Sequence, residues 1–125
     1  MRLGEIAVAL EAELLVGADR LDREVLTAGA SDSVSDVLYF GKPGMLLLTG
    51  LTQVAVVRTA DLVELSALVF VRGKLPDEET VAAARELGLP LLVSEHSMYD
   101  CCGRLYVRGL RGVIEPRRAA PAPTA

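Results

Sequence analysis

At 125 residues the chain has the length of one domain, and its 51% hydrophobic and 24% charged residues exclude wholesale disorder. The formal net charge is −4, no basic stripe runs through the sequence and there is no Trp, which argues against nucleic-acid binding as the main task. The apolar content is mostly Leu, Val and Ala, with only 4% aromatics, a mix that suits a buried parallel sheet covered by small-residue helices.

In chain order, Leu3, Ile6, Ala7 and Leu10 recur at helical spacing and predict a first helix. Glu5, Glu11 and Glu13 interrupt any apolar targeting segment, and runs such as residues 67–71 are too short to span a bilayer. Cys101 and Cys102 are sequence neighbours, with neither disulfide nor metal-ligand spacing, and read as reduced thiols. A cytoplasmic protein with no membrane contact is expected.

Residues 13–16 read as a strand ended by Gly17, residues 18–23 as a polar turn, and residues 24–28 as a second strand. Ser33 and Asp36 have capping-box spacing before a short helix through Leu38 and Tyr39, stopped by Gly41, Pro43 and Gly44. Residues 45–49 are a continuous apolar run between glycines, the pattern of a central strand. Gly50 turns the chain, and Thr52 is expected to cap a helix reaching about Leu65, with Val54, Val57 and Ala60 (or Asp61) in register.

The pattern repeats. Residues 67–71 form a buried strand; Pro76, Asp77, Glu78 and Glu79 open a helix that Gly88 stops. Residues 90–94 form a third central strand, and Ser97 is expected to cap a last helix through Cys102, Leu105 and Leu110. Successive strand–helix units with short connections predict an α/β fold: a small, mostly parallel sheet of about four to five strands flanked by helices. The two early strands join this sheet or pair beside it. Residues 1–114 are expected to form one domain, and the Pro/Ala-rich residues 115–125 a flexible tail.

In an open parallel sheet, ligands bind where strand carboxyl ends meet helix N-termini. The segments there are Ala30-Ser31-Asp32, Thr49-Gly50, Arg72-Gly73-Lys74 and Ser94-Glu95-His96. Asp32, Thr49, Gly50, Arg72, Lys74, Ser94 and His96 are therefore the candidate ligand-binding residues. Thr49, Gly50 and helix N–H groups would accept an anion, Arg72 and Lys74 would supply charge, and Asp32 would orient a hydroxyl. The plainer alternative is that each Ser, Thr or Asp only caps a helix and each Gly only turns the chain.

No catalytic set follows from the spacing. His96 is the only histidine, and Gly41-Lys42 and Gly73-Lys74 lack the phosphate-loop frame. No Cys-x-x-Cys or Asp/Glu/His cluster stands at ligand spacing, so no metal and no cofactor is expected.

Segments across residues 1–111 resemble the DRTGG domain family. They are Ser31-Asp32-Ser33-Val34-Ser35-Asp36-Val37-Leu38, Gly44-Met45-Leu46-Leu47-Leu48-Thr49-Gly50-Leu51 and Val69-Phe70-Val71-Arg72-Gly73-Lys74. Gly88-Leu89-Pro90-Leu91-Leu92-Val93-Ser94, with Ser97-Met98-Tyr99 and Gly103-Arg104-Leu105-Tyr106, continues the likeness. The Asp-Arg-Thr-Gly-Gly pentapeptide itself is missing: Asp19-Arg20 is followed by Leu21-Asp22, and Leu48-Thr49-Gly50 matches only in part. The resemblance implies an α/β domain like the N-terminal domain of HPr kinase/phosphorylase, a tendency to dimerise, and a regulatory role beside phosphotransacetylase or CBS-domain pyrophosphatase units. It supplies no catalytic residues.

The expectation is a non-enzymatic regulatory or ligand-sensing module, a homodimer binding a small anionic metabolite or nucleotide at the strand-end rim. The alternatives are a structural interaction module that docks a partner enzyme, and a small enzyme using His96 or a cysteine.

Overall fold

Leu3, Ile6, Ala9 and Leu10 are buried along one side of the first helix, α1 (Leu3–Ala9) and its C-cap, the stripe that their spacing demands. The computed structural model describes residues 1–114, and the expected flexible tail at residues 115–125 lies outside them. After α1 come β1 (Glu13–Val16), a 3-10 turn (Ala18–Arg20), β2 (Thr27–Ala30), α2 (Val34–Phe40), β3 (Met45–Thr49) and α3 (Val54–Leu62). The chain continues through β4 (Ala67–Phe70), α4 (Glu78–Leu87), β5 (Leu91–Val93) and α5 (Met98–Tyr106).

The five strands form one sheet in the order β1-β5-β4-β3-β2. The pairs β2–β3, β3–β4 and β4–β5 are parallel, and β1 runs antiparallel along the β5 edge. Both early strands thus join the sheet, at opposite edges. β2 begins three residues later than the expected strand at 24–28. Val25 donates its N–H to Met1 O at 2.7 Å and Glu24 bridges Arg2, so this stretch pairs with the N-terminus instead of the sheet.

Alternate residues of the central strands face opposite sides, and both sides are covered. Met45, Leu47, Leu68 and Phe70 pack with Val37, Val57, Ala60 and Ala84 from α2, α3 and α4. Leu46, Leu48, Val69 and Leu92 pack with Leu3, Ile6, Leu10, Cys101 and Leu105 from the α1 and α5 side. The result is three layers. No helix among the described residues is long and apolar enough to cross a membrane.

Ser33, Asp77 and Ser97 cap α2, α4 and α5, each accepting a backbone N–H three residues on, and left-handed Gly88 ends α4. Thr52 does not cap α3. The helix starts one residue later, after Gln53, with no side-chain cap, and the Thr52 carbonyl instead accepts the Thr80 hydroxyl at 2.9 Å. α3 and α5 also end before the expected Leu65 and Leu110. Left-handed turns at Glu64 (φ +60°) and Gly109 (φ +95°) break the helices, while both leucines remain buried.

Candidate functional site

Because β2 to β5 are parallel, Thr49 at the end of β3, and Asp32, Arg72 and Ser94 just after the ends of β2, β4 and β5, share one rim of the sheet. β4 and β5 are neighbours whose following helices lie on opposite faces, which is where an open sheet forms a crevice. Here the loops fill that crevice themselves. Arg72 N–H donates to His96 O and Gly73 N–H to Ser94 O, both at 2.8 Å. The turn needs left-handed backbone at Arg72 and Gly73 (φ +59° and +65°), and a Cβ on Gly73 would strike the Glu95 carboxylate.

The open part of the rim lies over β2, β3 and β4. Asp32 Oδ1 accepts the Gly50 N–H at 2.6 Å and faces the Thr49 hydroxyl at 3.4 Å. The buried Thr49 Oγ1 in turn accepts the Leu51 N–H at 3.0 Å. Lys74 Nζ donates to Gly50 O at 3.3 Å. A Cβ on Gly50 would lie 2.9 Å from Arg72 Nη2 and 3.2 Å from Asp32 Oδ1, so the bare α-carbon lets guanidinium and carboxylate approach the same spot. Asp32, Thr49, Gly50, Arg72 and Lys74 therefore come together.

Ser94 and His96 take other directions. Ser94 is fully buried and donates its hydroxyl to Leu10 O at 2.7 Å. The His96 ring turns to Glu11, with Nε2 to Oε1 at 3.0 Å, and Arg104 Nη1 lies 3.4 Å from the same oxygen. The His96 hydrogen bond first, and the Arg104 charge next, hold the Glu11 carboxyl below its ordinary pKa.

Among the described residues Arg72 and Lys74 form no ion pair, and the Arg72 guanidinium makes no hydrogen bond. Four residues after Gly50, the first turn of α3 begins with no side-chain acceptor for its N–H groups. Arg72 and Lys74 thus bring positive charge to Gly50, with the Asp32 carboxylate on the β2 side. Helix N–H groups were expected at the rim from the sequence, but Thr52 looked like the cap of α3, which the structure leaves uncapped. The poor capping residue Gln53 was the available signal.

Burial pushes the thiols of Cys101 and Cys102 up, away from the depressed pKa of an activated nucleophile. Among the described residues no group of three His, Cys, Asp or Glu side chains is placed to hold a metal. Away from the rim, an apolar concavity of about 280 Å³ lies at the outer edge of β2 and is lined by Gly29, Phe40, Cys102, Leu105, Tyr106 and Val113 among others.

Among the described residues, one five-stranded, mostly parallel sheet flanked by five helices defines a mixed α/β domain with a DRTGG-like fold, in keeping with the sequence resemblance. One structural match is the crystal structure of the CBS and DRTGG domains of the regulatory region of Clostridium perfringens pyrophosphatase, complexed with the activator diadenosine tetraphosphate. It aligns with a TM-score of 0.70 and 18% identity, over 88% of this chain and 47% of that one, so this chain corresponds to less than half of its length. No family model and no curated protein matches the sequence.

Proposed function

We propose that this chain is a non-enzymatic regulatory module that senses a small anionic metabolite, a nucleotide in the first instance, at the strand-end rim. One observation carries the reading: Arg72 and Lys74, without ion-pair partners among the described residues, converge on Gly50, shortly before the uncapped start of α3 in the chain. Phosphate oxygens fit that positive place, and the outer oxygen of Asp32 suits a ribose hydroxyl. Thr49 and Gly50 shape the rim through their internal bonds, and Ser94 and His96 support it from the β5 side. The likeness to a regulatory region complexed with a nucleotide activator supports the same reading.

Thermal unfolding in the presence of AMP, ATP and diadenosine tetraphosphate tests it. A ligand at about 100 times its Kd adds about 2.7 kcal/mol to the native state. The melting temperature rises with at least one nucleotide and does not rise in Arg72→Ala/Lys74→Ala. No rise with any of them, or an unchanged rise in the double variant, contradicts the proposal.

The apolar groove at the β2 edge, with exposed Tyr106 and Ile114 beside it, favours a second reading in which the domain docks a second copy or a partner enzyme. Measurement of molecular mass in solution separates them. A monomer at high concentration removes the homodimer.

A further inference from the structure

His96 is held from two sides by strained backbone. Among the described residues only Glu11, Glu64 and Arg72 have positive φ without being glycine, and two of these three bind His96. Glu11 (φ +50°) takes the imidazole, and Arg72 (φ +59°) donates its N–H to the His96 carbonyl at 2.8 Å. Left-handed backbone in residues with a side chain persists only where surrounding contacts fix it.

The segment between these contacts is a hub. The Ser94 hydroxyl donates to Leu10 O at the end of α1 and accepts the His96 N–H at 3.3 Å, and Cys101 Sγ of α5 lies 3.6 Å from the same oxygen. Arg104 of α5 reaches both Ala9 O, at 3.2 Å, and the Glu11 carboxylate. Residues 94–96 therefore join α1, α5 and the loop after β4.

We propose that the His96–Glu11 contact is a pH-responsive clasp that sets how firmly residues 94–96 hold Arg72 at the strand-end rim. Histidine is the side chain whose charge ordinarily changes between about pH 5 and 8. A neutral ring offers Glu11 a single hydrogen bond, whereas an imidazolium makes it charge-assisted, roughly twice as strong. The charged groups at this contact come from two sides, Glu11 from the turn after α1 and Arg104 from α5, while Glu95, next in the chain, turns toward Gly73. Arg104 shares the Glu11 oxygen and so moderates the gain on protonation. Arg72 meets the hub through its backbone N–H. The clasp stands on this geometry and is independent of whether the rim holds an anion.

Native-state hydrogen exchange of the Arg72 amide in the intact chain tests it. After correction for intrinsic rates, wild-type Arg72 is protected about two- to fivefold more at about pH 6 than at about pH 8, the range that an exposed charged pair supports. In Glu11→Gln that ratio falls to one. The Leu68 amide, which donates to Pro90 O at the opposite end of β4, keeps its protection in both proteins. His96→Gln, the second variant, abolishes the same pH dependence. Equal protection of wild-type Arg72 at both pH values, or a pH dependence that persists in either variant, overturns the proposal.

Discussion

Asp32 Oδ1 and the Gly50 N–H meet at 2.6 Å, and this bond ties the end of β2 to the end of β3 exactly where the chain leaves the sheet. Gly50 is buried, so its N–H has no ready replacement in water. Asp32→Ala is expected to cost about 1–3 kcal/mol through the orphaned donor, and Asp32→Asn, which keeps a side-chain acceptor, to recover most of it. Urea unfolding of the two variants checks this. Equal losses in both would mean that the carboxylate acts by charge and not by accepting the N–H.

Gly50→Ala separates the rim from the fold. The added Cβ meets the end of the flexible Arg72 side chain at 2.9 Å, which can swing away with little cost, and Asp32 Oδ1 at 3.2 Å, which must give by a few tenths of an ångström while keeping the Gly50 N–H. Stability is expected to change by less than about 1 kcal/mol, while nucleotide binding is lost with the displaced guanidinium. A variant that is stable and binds ATP with unchanged affinity would take Arg72 out of the site.

Ser94→Ala probes the hub. The buried hydroxyl is the partner of Leu10 O, so its loss is expected to destabilise by about 1–3 kcal/mol, read as a lower melting temperature. Ser94→Ala with wild-type stability would show that Leu10 O finds another donor.

Much of the fold was legible because the signals were local. The runs read at residues 45–49, 67–71 and 90–94 are almost wholly apolar and contain β3, β4 and β5, which end within one residue of them, and Ser33, Asp77 and Ser97 stand where caps must stand. What escaped depended on distant partners. Val25 looked like part of a strand until Met1 claimed its N–H, and nothing in the spacing tells that β1 lies beside β5. The same holds at the rim. The strand-end rule brought Asp32, Gly50, Arg72 and Lys74 together, but the direction of His96 is set by Glu11, 85 residues away in sequence.

The acid limb of stability follows from Glu11 and Asp77. The first is held low by its His96 hydrogen bond and by Arg104, the second by its hydrogen bonds from the Thr80 hydroxyl and N–H. A carboxyl whose folded pKa is depressed contributes stability above its unfolded pKa and loses it as pH falls through the folded value. Unfolding free energy should therefore decline as pH falls below about 4.5, and the gap between wild type and Glu11→Gln should close in acid. Denaturant titrations across that window read it directly. A gap that stays constant to the lowest pH would remove Glu11 from the account.

A nucleotide is proposed to bind at the rim over β2, β3 and β4. Titration of ATP into the isotope-labelled protein, followed by amide chemical shifts, tests it most directly. The account expects the largest shifts at Gly50, Leu51, Val54, Gly73 and Lys74, with Gly29, Tyr106 and Gly112 unmoved. Shifts concentrated at those last three residues, or no saturable shift at all, would contradict it.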